Sequence, residues 1–214
     1  MDFSHQSLAE LKLPFRFLGS TLQNILLRYG YKNGLTFAIP IKNWMFSFDE
    51  LFNANMVTRY DWNPDNQFDM MAFHSLWNGP QVDLVIPKPS KRITLLRDPV
   101  DTFESGFVYM GLAKSLKMNI NEYAQWIKKK HFPMRKPRSW FDKDELLWDL
   151  GADVSQLEKN EYLRDRIEVY ENEFDLVLIA ERFDESLVLL QDLLCWDTED
   201  VTYLMVSHTF DKSR

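Results

Sequence analysis

The stretch Arg92-Ile93-Thr94-Leu95-Leu96-Arg97-Asp98-Pro99 decides the fold class of this chain. An apolar run suited to a strand ends at Arg97. Asp98 then supplies a side-chain oxygen for a helix N-cap, and Pro99 suits the first helical position. The spacing predicts a strand through Leu96, followed by a helix that carries Phe103, Phe107 and Met110 to Gly111.

Working outward, the same alternation recurs. Leu13–Leu18 reads as a first strand, although Pro14 and Arg16 suit one poorly. Ser20 or Thr21 then caps a helix with Leu22, Ile25, Leu26 and Tyr29 on one face, stopped by Gly30 and Gly34. Leu35–Ile39 and Gln67–Phe73 read as strands, the second delivering His74 at its end. Asn119 caps a helix with Ile120, Ala124 and Ile127. Leu163, Ile167, Tyr170 and Phe174 follow helical spacing, Asp175–Ala180 reads as a buried strand, and Phe183–Trp196 as a Leu-rich helix. Thr202–Val206 reads as a last strand. Continuous apolar strands between helices predict an α/β domain with a mainly parallel sheet covered on both faces.

The composition agrees with that class. The chain has 214 residues, 45% hydrophobic and 14% aromatic, which excludes global disorder and predicts one domain with a large aromatic core. The net charge of −7 excludes a uniformly basic nucleic-acid binder. The charge is uneven: residues 1–127 are neutral and residues 144–214 strongly acidic. Lys128, Lys129, Lys130, Arg135, Lys136 and Arg138 form one compact basic segment. That segment reads either as a solvated surface loop or as a contact for anionic headgroups or an acidic glycan. Phe132, Trp140 and Phe141 beside it suit a sugar ring or a loop anchor. Cys195 is the single cysteine, so it forms no internal disulfide, and Leu193-Leu194-Cys195-Trp196 reads as a buried apolar thiol. No Cys/His spacing suits a metal. The N-terminus lacks a basic start followed by an apolar stretch, and no apolar run approaches the roughly 20 residues that span a bilayer. The chain therefore reads as soluble.

The common catalytic signatures are missing: no phosphate-cradling Gly-x-x-x-x-Gly-Lys, no Gly-x-Gly-x-x-Gly, no His-Glu-x-x-His. Two strand-to-helix turns remain, Gly19-Ser20-Thr21 and Arg97-Asp98-Pro99. Each sets helix N-terminal amides beside hydroxyl or guanidinium groups, an arrangement that suits the two ends of an anionic nucleotide. Plain capping explains the same residues, with Arg97 pairing Asp101 or Glu104. His74 likewise reads as a general base or as a hydrogen-bonded histidine at a strand end.

The run LLRDPVDTFESGFVYMG resembles the 3′-phosphate-binding segment of Golgi carbohydrate sulfotransferases, nearest to the galactosylceramide sulfotransferase and galactose 3-O-sulfotransferase family. STLQNILLRYGYKNGLTFAIP and FDLVLIAERFDESLVLLQDLLCWDTEDVTYL are similar to the same family, in the same order. The resemblance implies a P-loop-like α/β sulfotransferase fold, a parallel sheet flanked by helices. It implies 3′-phosphoadenosine 5′-phosphosulfate (PAPS) as co-substrate and no metal. Arg97 and Ser105 would hold the donor's 3′-phosphate, and Gly19, Ser20 and Thr21 its phosphosulfate. Arg16 stands where the family has Lys, and Phe17 where it has Thr. Arg keeps the charge but not the compact ammonium. His74 would be the base that activates the 3-hydroxyl of galactose on a glycolipid such as galactosylceramide, or on a glycan. Competing readings are an inactive or incomplete nucleotide-binding remnant and a sulfotransferase acting on another glycan hydroxyl. The resemblance also implies a Golgi-membrane enzyme facing the lumen. The family's membrane anchor and further C-terminal region are not in this sequence. Residues 1–18 thus read as an atypical N-terminal segment and residues 19–214 as a sulfotransferase domain truncated at its C-terminus.

Overall fold

A computed structural model describes residues 7–10, 18–42, 45–47, 50–109, 111–129 and 144–204. Its centre is a four-stranded sheet built from β1 (Ser7–Glu10), β2 (Met70–Met71), β3 (Ser90–Leu96) and β4 (Leu176–Ile179), in the order β2-β1-β3-β4. Every pairing is parallel: Leu8 aligns with Met70 and Lys91, and Leu96 with Ile179. The helices are α1 (Leu18–Lys32), α2 (Gly79–Val82), α3 (Pro99–Tyr109), α4 (Leu112–Leu116), α5 (Ile120–Lys129), α6 (Glu145–Asp149), α7 (Asn160–Glu173), α8 (Phe183–Leu194) and α9 (Thr198–Val201). The expected class, a parallel sheet flanked by helices, is what forms.

Strand alternation distributes β3 between two cores. Ile93 and Leu95 join Leu22, Ile25 and Leu26 of α1 and Leu187 and Leu190 of α8 on one face. Leu96 packs on the other, with Met71, Phe52, Trp77, Tyr170 and Phe174. A satellite cluster around Phe107 and Tyr123 joins α3 to α5. At Asn119 the expected cap is a complete box: Asn119 Oδ1 accepts from Glu122 N at 3.0 Å, and Glu122 Oε2 accepts from Asn119 N at 2.7 Å.

Several sequence expectations need correction. Leu18 opens α1 rather than closing a strand, and residues 13–17 lie outside the described residues. Ser20 and Thr21 sit in the first turn of α1, not at its cap. Gly30 lies inside α1, where a Cβ would run into the Phe37 ring. Gly34, at φ +68°, ends the helix: Leu35 N donates to Gly30 O at 2.8 Å and Gly34 N to Tyr31 O at 3.3 Å. We expect Gly34→Ala to cost about 1 kcal/mol in left-handed backbone strain alone, since nothing lies near its Cβ. A lower denaturation midpoint at unchanged slope is the result to look for.

Leu35–Ile39 runs beside β2 but bridges it only at Phe37, and the strand expected over 67–73 shrinks to Met70–Met71. β4 is an edge strand rather than a buried one, with Val177 42% and Ile179 39% exposed while Leu178 is buried. After α9, Thr202–Leu204 forms no strand, and residues 205–206 lie outside the described residues. Cys195 is exposed in a left-handed turn closing α8, so it does not pack as an apolar thiol.

Candidate active site

The strand order decides where a ligand fits. From β1 the chain crosses to β2 on one side, while β3 lies on the other. In a parallel sheet ligands commonly bind at the carboxyl edge where the strand order reverses, here between β1 and β3. α3 begins directly after β3, and α1 is the first described element after β1. His74, expected at the end of a strand, lies three residues beyond β2 instead.

In the first turn of α1, Gly19 is buried, Ser20 exposed and Thr21 half-buried. That turn carries no acidic residue. Gln23 Nε2 donates to Ala72 O at 2.6 Å, tying α1 to the backbone two residues before His74. Half-buried His74 is held by its own carbonyl, which accepts from Phe46 N at 2.9 Å.

The β3–α3 turn is held differently. Asp98 caps α3 as expected, Oδ1 accepting from Val100 N at 2.8 Å and Asp101 N at 3.2 Å. Glu181, just past β4, accepts from Asp98 N at 2.8 Å. Carboxylates therefore already occupy three amides at this end of α3. This corrects the expectation that they stand ready for a phosphate: an anion here must be met by side chains.

Two side chains fit that task. Among the described residues the Arg97 guanidinium, 25% exposed, makes one long ion pair, Nη2 to Asp101 Oδ2 at 3.8 Å, so it is not tightly committed to α3. Ser105 Oγ, about two turns into the same helix, is buried and has no partner among the described residues. A buried hydroxyl left unpaired is unusual in a native fold.

Arg16 lies outside the described residues, as do Lys130, Arg135, Lys136 and Arg138; Lys128 is exposed in the last turn of α5, which also contains Lys129. Among the described residues no group of three His, Cys, Asp or Glu is placed to hold a metal ion, and no helix is long and apolar enough to cross a membrane. Sequence reading missed Gln23 and Glu181. The only signal for Glu181 was an acid directly after an apolar strand, a pattern too common to select it.

The family model Galactose-3-O-sulfotransferase matches residues 10–214. The chain belongs to that family. Galactosylceramide sulfotransferases of Bos taurus and Homo sapiens are each 34% identical to it over 193 residues, 88% of this chain and 45% of theirs. Galactose-3-O-sulfotransferase 3 of Mus musculus is 31% identical over 224 residues, 98% of this chain and 49% of its own. The chain thus spans about half the length of the curated relatives it matches. No solved structure matches it.

Proposed function

We propose that this chain carries the donor-binding part of a PAPS-dependent sulfotransferase acting on the 3-hydroxyl of galactose, in a glycolipid such as galactosylceramide or in a glycan. The orphaned Ser105 hydroxyl, on the same strand–turn–helix unit as the loosely paired Arg97, carries the proposal. Family membership and the parallel sheet support a P-loop-like sulfotransferase fold.

In this reading Arg97 and Ser105 bind the donor's 3′-phosphate, and Ser20, Thr21 and the α1 amides its phosphosulfate. His74 accepts the proton of the galactose hydroxyl while that oxygen attacks sulfur in line. The bond from sulfur to the phosphate oxygen breaks, and the phosphate leaves as 3′-phosphoadenosine 5′-phosphate. Positioning and charge stabilisation supply most of the catalysis. Arg16 would neutralise the leaving phosphate.

The Arg16-Phe17 pair, where the family has Lys-Thr, favours a second reading: a member that binds nucleotide without transferring sulfate. Transfer of radiolabelled sulfate from PAPS to galactosylceramide and to free galactosides separates the two. Transfer supports the enzyme; nucleotide binding without transfer to any galactoside supports the second reading.

Glu181 touches no ligand in this scheme; it fixes the turn that aims Arg97. Glu181→Ala is expected to weaken nucleotide binding about fivefold, the effect of one lost hydrogen bond. Glu181→Gln keeps an acceptor and sheds a negative charge, so it should bind at least as tightly as wild type in calorimetry.

A further inference from the structure

A long-range hydrogen bond ties the helix that carries Ser20 and Thr21 to the segment that carries His74. Half-buried Gln23 follows Ser20 by three residues on α1, a spacing that puts both on one helix face. Its Nε2 donates to Ala72 O at 2.6 Å, across 49 positions of sequence. Ala72 is 2% exposed and lies just past the end of β2. A buried carbonyl at such a place needs a partner, and Gln23 supplies it. Ala72 is two residues before His74, which is at most about 7 Å along the chain. The bond therefore brings the first turns of α1 and the segment ending in His74 into one neighbourhood.

Apolar packing alone does not set that position. Leu22, Ile25 and Leu26 of α1 share a core with Met70 and Ala72, but burial of apolar area is non-directional. The Gln23 bond is directional and weakens steeply as its angle opens, so it fixes where Ala72 stands along α1. At the other end of the segment His74 O accepts from Phe46 N at 2.9 Å. The Phe46 ring meets Phe52 and Phe73 edge-on, with centroids 5.0 and 6.4 Å away. Residues 72–74 are thus held twice, by Phe46 from a loop and by Gln23 from the helix with the donor hydroxyls. In-line transfer requires base, hydroxyl and sulfur at fixed separations, and misplacement by about 1 Å can cost about 100-fold in rate.

We propose that Gln23 is a positioning residue for sulfate transfer: its bond to Ala72 sets the separation between the α1 turn and His74, so that the base meets the galactose hydroxyl in line with the sulfur. Gln23 touches neither donor nor acceptor and acts through His74. This rests on the proposed function, which supplies the roles of Ser20, Thr21 and His74.

The test is transfer of radiolabelled sulfate to galactosylceramide and to methyl β-galactoside by Gln23→Met, alone and combined with His74→Ala. Methionine keeps the length of the side chain and removes the donor. Gln23→Met should lower kcat about tenfold, a part of the roughly 10² to 10⁴ that a positioned base contributes. Its affinity for 3′-phosphoadenosine 5′-phosphate in calorimetry should equal that of wild type. Its Tm should fall by about 2–4 °C, the effect of one carbonyl left unpaired. In the His74→Ala background the same substitution should change kcat by less than about twofold, because its effect runs through the base. An equal fall of kcat in both backgrounds marks a structural residue and overturns the assignment. Unchanged kcat in Gln23→Met overturns it too, as does a loss of nucleotide affinity that matches the loss of kcat. A wild type that binds nucleotide and sulfates neither galactoside overturns the proposed function and this assignment with it; with an active wild type, the other three outcomes overturn the assignment alone.

Discussion

Arg97→Ala is expected to weaken binding of 3′-phosphoadenosine 5′-phosphate about 100-fold, with little change in Tm. The size follows from the setting. Charge-assisted hydrogen bonds contribute roughly 1.5–3 kcal/mol each, and Arg offers a phosphate two in parallel. Asp98, Asp101 and Glu181 surround the turn, so removing the guanidinium leaves a dianionic phosphate facing carboxylates. The small stability change follows because the one ion pair lost, to Asp101, is long and exposed. Arg97→Lys should recover only part of the affinity, since a point charge does not reproduce the planar fork. Ser105→Ala is the companion: about tenfold weaker binding without loss of Tm, since its Oγ has no partner among the described residues. Calorimetry reads the affinities and thermal unfolding the stability. Unchanged affinity in Arg97→Ala would remove this turn from the donor site.

His74→Ala should lower kcat for sulfate transfer by about 10² to 10⁴, the usual contribution of a positioned general base. Nucleotide affinity should stay at the wild-type value, because His74 follows β2 while the proposed 3′-phosphate residues follow β3. That split separates a base from a structural histidine. Loss of a merely structural group would lower Tm and affinity together. His74 is half-buried and its carbonyl holds Phe46, so His74→Gln, which keeps most of the bulk, is the control for packing. A kcat within a few-fold of wild type in both variants would exclude His74 as the base.

The elements read correctly from sequence are those held by local interactions. Asp98 caps α3 through amides two and three residues on, and Asn119 and Glu122 close their box within one turn. The misreadings arose where pairing is long-range. Leu35–Ile39 has the composition of a strand, yet only Phe37 bridges β2. Asp175–Ala180 reads as a buried strand, yet nothing pairs the outer edge of β4 among the described residues. Cys195 sits among apolar neighbours in sequence but closes α8 in a left-handed turn that exposes it.

The candidate site divides the same way. By itself the sequence determined the strand–Arg97–Asp98–Pro99–helix unit, the apolar face of α1 and the family likeness, because caps and periodicity act within a few residues. Only the tertiary structure decided that β1 separates β2 from β3, so that the strand order reverses between β1 and β3. It alone showed Glu181 occupying the Asp98 amide, and Ser105 left with a buried hydroxyl unpaired among the described residues. The physical reason is one of range: a hydrogen bond across 83 residues, or the lack of one in a buried pocket, depends on what the fold brings near and leaves no local trace.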